Sequence, residues 1–142
     1  MKTARQLIAQ KGNETLSIHS DCSVFEALGV MAKHDVGALL VLDNNQLAGI
    51  FSERDYARSI VLKGRASKDT PVAEVMSNKV ITVGPNETIE ACMNIMTDHR
   101  IRHLPVVDNG QLIGVLSIGD LVKETINYQR FLIEQLEKYI QS

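Results

Sequence analysis

The chain repeats itself, and that duplication limits its folding options more than any other feature. Residues 15–59 lie without a gap on residues 80–124, 65 positions further along, with identities at Met31/Met96, His34/His99, Leu39/Leu104, Val41/Val106, Asp43/Asp108, Asn44/Asn109, Gln46/Gln111, Leu47/Leu112, Gly49/Gly114, Ser52/Ser117 and Asp55/Asp120. Apolar exchanges such as Val24/Ile89, Val36/Ile101, Ile50/Val115 and Phe51/Leu116 carry the match into the residues that build a core. Self-similarity of this kind means two copies of one supersecondary unit. A unit of about 60 residues is marginal alone, so the expectation is two repeats sharing one core. The agreement is densest at the end of each unit, where Gly49-Ile50-Phe51-Ser52-Glu53-Arg54-Asp55 answers Gly114-Val115-Leu116-Ser117-Ile118-Gly119-Asp120.

Periodicity gives the order of elements inside a repeat. Leu16-Ser17-Ile18 reads as a short strand, and Ser20-Asp21 as a helix start. Val24, Ala27, Leu28 and Met31 recur at helical spacing and predict a helix of about ten residues. Ala38 to Leu42 is an apolar run of strand length, Asp43-Asn44-Asn45 supplies turn chemistry, and Leu47 to Phe51 returns as the second strand of a hairpin. Ser52 then opens a helix carrying Tyr56, Ile60 and Val61, closed by Gly64. The second repeat gives the same order: a strand over 80–83, a helix over Ile89, Cys92, Met93 and Met96, a hairpin around Asp108-Asn109-Gly110, and a helix from Ser117. The fold class is therefore α/β (α+β), two β-α-β-β-α units around a pseudo-two-fold axis. The domains run as an N-terminal extension 1–14, repeat one 15–63, a polar linker 64–79 with a short apolar turn at 72–76, repeat two 80–126 and a C-terminal helical extension 127–142. That last helix carries Ile126, Tyr128, Phe131, Leu132, Ile133, Leu136, Tyr139 and Ile140, more apolar surface than one stripe requires, so part of it calls for a partner.

Composition excludes several classes. A net charge of −2 offers no basic surface for nucleic acid. No apolar run reaches the ~18–20 residues that span a bilayer, and the first residues lack the apolar stretch of a signal peptide, so the expected location is the cytoplasm. Cys22 and Cys92 do not occupy equivalent repeat positions and form no C-x-x-C pair, which leaves a disulfide or a zinc site without support; Cys92 falls among core positions. His34 and His99 fall at matched helix ends, where the dipole favours a histidine. Asp43 and Asp108 read as turn formers.

Together, the order of elements, the duplication, the run Arg100-Ile101-Arg102-His103-Leu104-Pro105-Val106-Val107-Asp108 and the paired Gly-x-x-Ser-x-x-Asp segments resemble tandem CBS domains, the cystathionine-β-synthase-type pair or Bateman module. The resemblance covers roughly residues 15–126. It implies a regulatory or sensing module that takes adenosine-containing ligands in clefts between the repeats, AMP first and then ADP, ATP, NAD or S-adenosylmethionine, and it does not imply catalysis; no cluster of residues has metal-ligand spacing.

Read locally, Ser52-x-x-Asp55 and Ser117-x-x-Asp120 are helix N-caps with an acidic third position, sufficient in themselves to stabilise a helix. A helix tip is also an anion site, so both roles can coexist. The resemblance assigns ribose to Asp55 and Asp120 and phosphate to Ser52 and Ser117. The repeats differ where phosphate charge is handled. Repeat one has Arg54 where repeat two has Gly119, and repeat two has Arg102 and His103 where repeat one has Gly37 and Ala38. An arginine suits phosphate through its planar donors; the alternative is a solvated surface arginine. Through the resemblance, the adenine slots fall to Leu16, Ser17, Ile18, Ala38 and Leu39 in one repeat and to Ile81, Thr82, Val83, His103, Leu104 and Pro105 in the other, chiefly through their backbones.

Three functions compete. The first is a sensor that signals to a separate regulated partner, and the second a homodimerisation scaffold with vestigial clefts. An enzyme comes last, for the sequence offers no nucleophile paired with a base, no metal set and no P-loop. A homodimer is expected in the first two.

Overall fold

The computed structural model describes residues 2–12 and 15–141; Met1, Asn13, Glu14 and Ser142, which belong to the two expected extensions, lie outside the described residues. The chain parts into two compact units, one of residues 1–14, 81–109 and 113–142 and the other of residues 15–80 and 110–112. Each unit has its own buried cluster, so the single shared core expected from the repeat length is replaced by two.

In the unit built on repeat one, strand β1 (Ser17–Ile18) precedes helix α2 (Val24–His34), and strands β2 (Ala38–Asp43) and β3 (Gln46–Ser52) follow it; helix α1 (Ala4–Lys11) belongs to the other unit. The sheet order is β1-β2-β3, β1 parallel and β3 antiparallel to β2, with Ser17 opposite Leu40, Ala38 opposite Ser52 and Leu39 opposite Phe51. Helix α2 begins three residues later than Ser20-Asp21 suggested. Ser23 is the N-cap because its hydroxyl accepts the Glu26 N–H, the bond that a Ser-x-x-Glu spacing allows. Helix α3 (Glu53–Tyr56) passes directly into a π-helical turn, Ala57–Val61. The wider turn rotates Ile60 into the core and leaves Val61 58% exposed. Gly64 ends the segment at φ +66°.

In repeat two, helix α4 (Ile89–His99), strands β4 (His103–Asp108) and β5 (Gln111–Ser117) and helix α5 (Ile118–Gln141) follow in the same order. The strand expected over 80–83 shrinks to one bridge, Val83 to Val106, in which the Val83 N–H donates to Pro105 O and the Val107 N–H to Val83 O. Pro105 stands where repeat one has Leu40, and a proline has no N–H to give to a neighbouring strand, so the rung that would match Ser17–Leu40 is lost. Both hairpins turn on two left-handed residues, Asn44-Asn45 at φ 54° and 62° and Asn109-Gly110 at φ 51° and 80°, the pairing whose twist suits a two-residue hairpin.

The segment that precedes each repeat packs into the unit of the other repeat. Residues 2–11 join repeat two: the Ala4 N–H donates to Glu87 O, Arg5 N–H to Pro85 O and Ile89 N–H to Lys2 O. Residues 70–76 join repeat one by the equivalent bonds, Val72 N–H to Cys22 O, Ala73 N–H to Ser20 O and Val24 N–H to Thr70 O. Ala4, Leu7 and Ile8 thereby enter one core and Val72 and Val75 the other. The N-terminal stretch is thus a capped, buried element of its unit, with Thr3 and Gln6 exchanging side-chain-to-backbone hydrogen bonds. Six of the remaining core positions in each unit pair off across the duplication: Val24/Ile89, Ala27/Cys92, Met31/Met96, Leu39/Leu104, Val41/Val106 and Phe51/Leu116.

Candidate functional site

Two strand-to-helix junctions carry the residues singled out by the duplication. In the first, β3 ends at Ser52 and α3 begins. The Ser52 N–H and hydroxyl both donate to Asp55 Oδ2, at 2.9 and 3.0 Å, while the Asp55 N–H donates to Ser52 Oγ at 3.3 Å. The Glu53 N–H is taken by Gly37 O at 3.0 Å. The second junction repeats the plan: Ser117 N–H to Asp120 Oδ2 at 2.8 Å, Asp120 N–H to Ser117 Oγ at 3.1 Å, and Ile118 N–H to Arg102 O at 2.9 Å. At both tips the carboxylate Oδ1, and the backbone N–H of Arg54 or Gly119, have no hydrogen-bond partner among the described residues. An exposed amide beside a half-buried carboxylate suits a ligand carrying both hydroxyls and an anion.

Sequence reasoning missed Lys11. Its ammonium donates to Val115 O at 2.9 Å and to Asp120 Oδ2 at 2.5 Å. In the other unit the matching carbonyl, Ile50 O, accepts the Ser77 backbone N–H at 2.9 Å, and Asp55 has no ion pair among the described residues. Burial works against the Asp120 charge, but hydrogen bonds from Lys11 and Ser117 outweigh it and hold this carboxyl below its ordinary value. Partial desolvation, with the Lys11 ammonium adding to it, pushes His103 below the ordinary histidine value against the pull of Asp120. His103, Lys11, Asp120 and Arg102 thus form one electrostatic cluster. The signal that could have revealed Lys11 was the Thr3-x-x-Gln6 capping pattern ahead of Leu7 and Ile8, which marks a helix with Lys11 in its last turn.

The other candidates divide by exposure. Arg54 and Arg102 are exposed, and neither makes a hydrogen bond through its guanidinium or an ion pair among the described residues. Ser17, Ala38 and Ile81 are half-buried and Thr82 is exposed, whereas Leu39, Leu104 and Pro105 are buried. The Leu39 and Leu104 side chains are core residues, and only their backbones remain for a ligand. A shallow recess lined by Thr82, Val83, Gly84 and Pro85 opens beside the shortened strand. Asp43 and Asp108, read as turn formers, also tie down other segments: Asp43 Oδ1 accepts the Ser20 N–H, and Asp108 pairs with Arg5 at 2.9 Å. Among the described residues no group of three or more His, Cys, Asp or Glu is placed to hold a metal ion, and no helix is long and apolar enough to cross a membrane.

A duplicated strand-helix-hairpin-helix unit with a serine–aspartate box at each final junction defines a pair of CBS domains. The family profile described as CBS domain matches residues 12–62 and 72–127, and the chain belongs to that family. The Arabidopsis thaliana CBS domain-containing protein CBSX3, mitochondrial, is 43% identical over 127 residues; the match takes in 86% of this chain but only 62% of that protein, so the chain spans less than two thirds of this relative's length. CBS domain-containing protein YhcV of Bacillus subtilis is 35% identical over 108 residues, 76% of each chain. Among solved structures, a candidate signal-transduction protein with CBS domains from Burkholderia ambifaria MC40-6 has a TM-score of 0.76 at 46% identity, covering 89% of this chain and 95% of that one. CBS domain proteins are commonly regulatory or signal-transduction modules.

Proposed function

We propose that the chain is a non-catalytic sensor that binds an adenosine-containing ligand, AMP before ATP, ADP, NAD or S-adenosylmethionine, and reports its occupancy to a separate protein in the cytoplasm. One observation carries the reading: each tip presents an aspartate whose Oδ2 is locked by its serine, while Oδ1 and a neighbouring backbone N–H have no partner among the described residues. A carboxylate held in this way accepts from a ribose diol without having to be reoriented. In one unit Arg54 supplies the cation for phosphate, and Ser17, Ala38 and Leu39 supply backbone groups for the base. In the other, Arg102, His103 and the Gly119 N–H face the phosphate, with Ile81, Thr82, Leu104 and Pro105 along the base. Signalling requires only that the ligand bind one conformation more tightly than another.

Thermal unfolding with AMP, ATP, NAD and S-adenosylmethionine in turn tests the reading. A ligand at a hundred times its Kd stabilises the folded state by about 2.7 kcal/mol, a readily measured shift. No response to any of the four would exclude the sensor.

The second reading is a homodimerisation scaffold with vestigial ligand sites. Lys11 occupying Asp120 favours it, as does the apolar surface left bare on α5, where Phe131, Ile133, Leu136 and Ile140 are all exposed. Self-association as a homodimer through that surface is part of both readings.

A further inference from the structure

We propose that α5 pairs with α5 of a second copy as an antiparallel two-helix clasp centred near Phe131; the inference rests on the self-association proposed above and names its surface and register. On one side α5 packs into its own unit, where Leu121 and Glu124 are buried and the Thr125 hydroxyl donates to Leu121 O. About 100° around the helix, Val122, Ile126, Gln129, Ile133, Leu136 and Ile140 recur at alternating four- and three-residue spacing, the spacing of a coiled-coil seam. The apolar members of that seam are exposed, from 41% at Val122 to 80% at Ile140. The half of α5 nearest its unit lines a shallow apolar groove with Ile118, Gly119, Val122 and Ile126, while the far half carries Ile133, Leu136 and Ile140 with nothing of the described chain beside them. Each half therefore provides what the other lacks.

An antiparallel register joins the two halves. It sets Val122 against the partner's Ile140, Ile126 against the partner's Leu136 and Gln129 against the partner's Ile133, so Leu136 and Ile140 of each copy enter the other's groove and Ile133 packs nearer the axis. The same register brings Lys123 alongside the partner's Glu137, and the pair occurs twice by symmetry; Arg130 meets its own copy near the axis, one repulsion against two attractions. A parallel register would instead set Glu137 beside Leu132 of the partner and leave Lys123 without a carboxylate. The seam from Val122 to Ile140 is about 27 Å long at 1.5 Å per residue.

The test is the oligomeric state of the whole chain by sedimentation, with variants at residues whose side chains are exposed in the protomer. Lys123→Glu and Glu137→Lys are each expected to raise the dimer Kd by roughly tenfold, and the double exchange to restore it. Gln129→Cys with Ile133→Cys should form a disulfide-linked dimer on mild oxidation, while Ile133→Cys alone should not. A monomer at all concentrations would overturn self-association itself. A dimer indifferent to both charge reversals, or cross-linked by Ile133→Cys alone, would overturn the antiparallel register and leave the dimer standing.

Discussion

Lys11 and Asp120 stand 109 positions apart in the chain, yet the lysine ammonium lies 2.5 Å from Asp120 Oδ2. The same nitrogen holds Val115 O at 2.9 Å, filling the place that the Ser77 backbone N–H takes on Ile50 O in the other unit. The two helix tips are therefore chemically unequal: Asp55 has no cation paired with its carboxylate among the described residues, whereas Asp120 is already paired.

From this inequality follows the first prediction. Lys11→Met removes a charged hydrogen bond and should destabilise the fold by about 1–2 kcal/mol, measured by denaturant unfolding. If the tips bind adenosine ligands, Asp55→Ala should abolish the tighter class of sites in calorimetry, and Asp120→Ala only a weaker class. Equal losses from the two substitutions would contradict it.

Acid sensitivity should come in two windows. His103 is held below the ordinary histidine value of 6.5, so as pH falls through that region the unfolded chain gains a proton that the folded one resists, and stability drops. Asp120 is held below 3.8; its contribution is fully present above that pH and is lost as pH falls through the lower folded value. Unfolding free energy measured against pH should flatten between about 7 and 5 in His103→Gln and below about 4 in Asp120→Asn. An unaltered profile in both variants would show that neither group is coupled to folding.

Two equivalent glycines should respond differently to a methyl group. A Cβ at Gly49 would lie 2.6 Å from Ser77 O, a backbone atom hydrogen-bonded in place, whereas at Gly114 it would lie 2.4 Å from Cδ1 of Ile8, a side-chain end. Both alanine variants should lose about 1–3 kcal/mol through overpacking. Shortening the obstacle with Ile8→Ala should recover part of the loss in Gly114→Ala, and no single side-chain truncation should do so for Gly49→Ala. Thermal melts of the single and double variants decide the matter.

Arg54 has an exposed guanidinium with no hydrogen-bond or ion-pair partner among the described residues, so its loss should leave stability within about 0.5 kcal/mol of the parent. If it holds phosphate, Arg54→Ala weakens binding of AMP by ~1.5–3 kcal/mol. Calorimetry returning unchanged affinity would remove Arg54 from the site.

The Cys92 side chain is fully buried, and burial pushes its thiol up to about 11. It should resist alkylation at pH 8 in the folded protein and react at once in denaturant. Labelling in the native state at the rate of a free thiol would mean that α4 opens locally.

What the sequence by itself determined is what depends on local spacing and on the duplication. The apolar phase of Val24, Ala27 and Met31 and of Ile89, Cys92 and Met96 fixes the helices and their buried faces. The Asn-containing turns fix the hairpins, and Ser-x-x-Asp fixes both caps, because each of these interactions closes within a few residues. What only the tertiary structure decided depends on which segment meets which. Residues 2–11 and 70–76 each complete the unit of the other repeat, a choice that no local spacing encodes, since both segments carry similar apolar residues. That choice brings Lys11 to Asp120 and makes two tips with matching serines and aspartates unequal. Pro105 was visible throughout, but the rung it removes depended on which strand would lie beside it. A hydrogen bond within one turn can be read from neighbours in sequence; an ion pair across 109 residues exists only once the chain has packed.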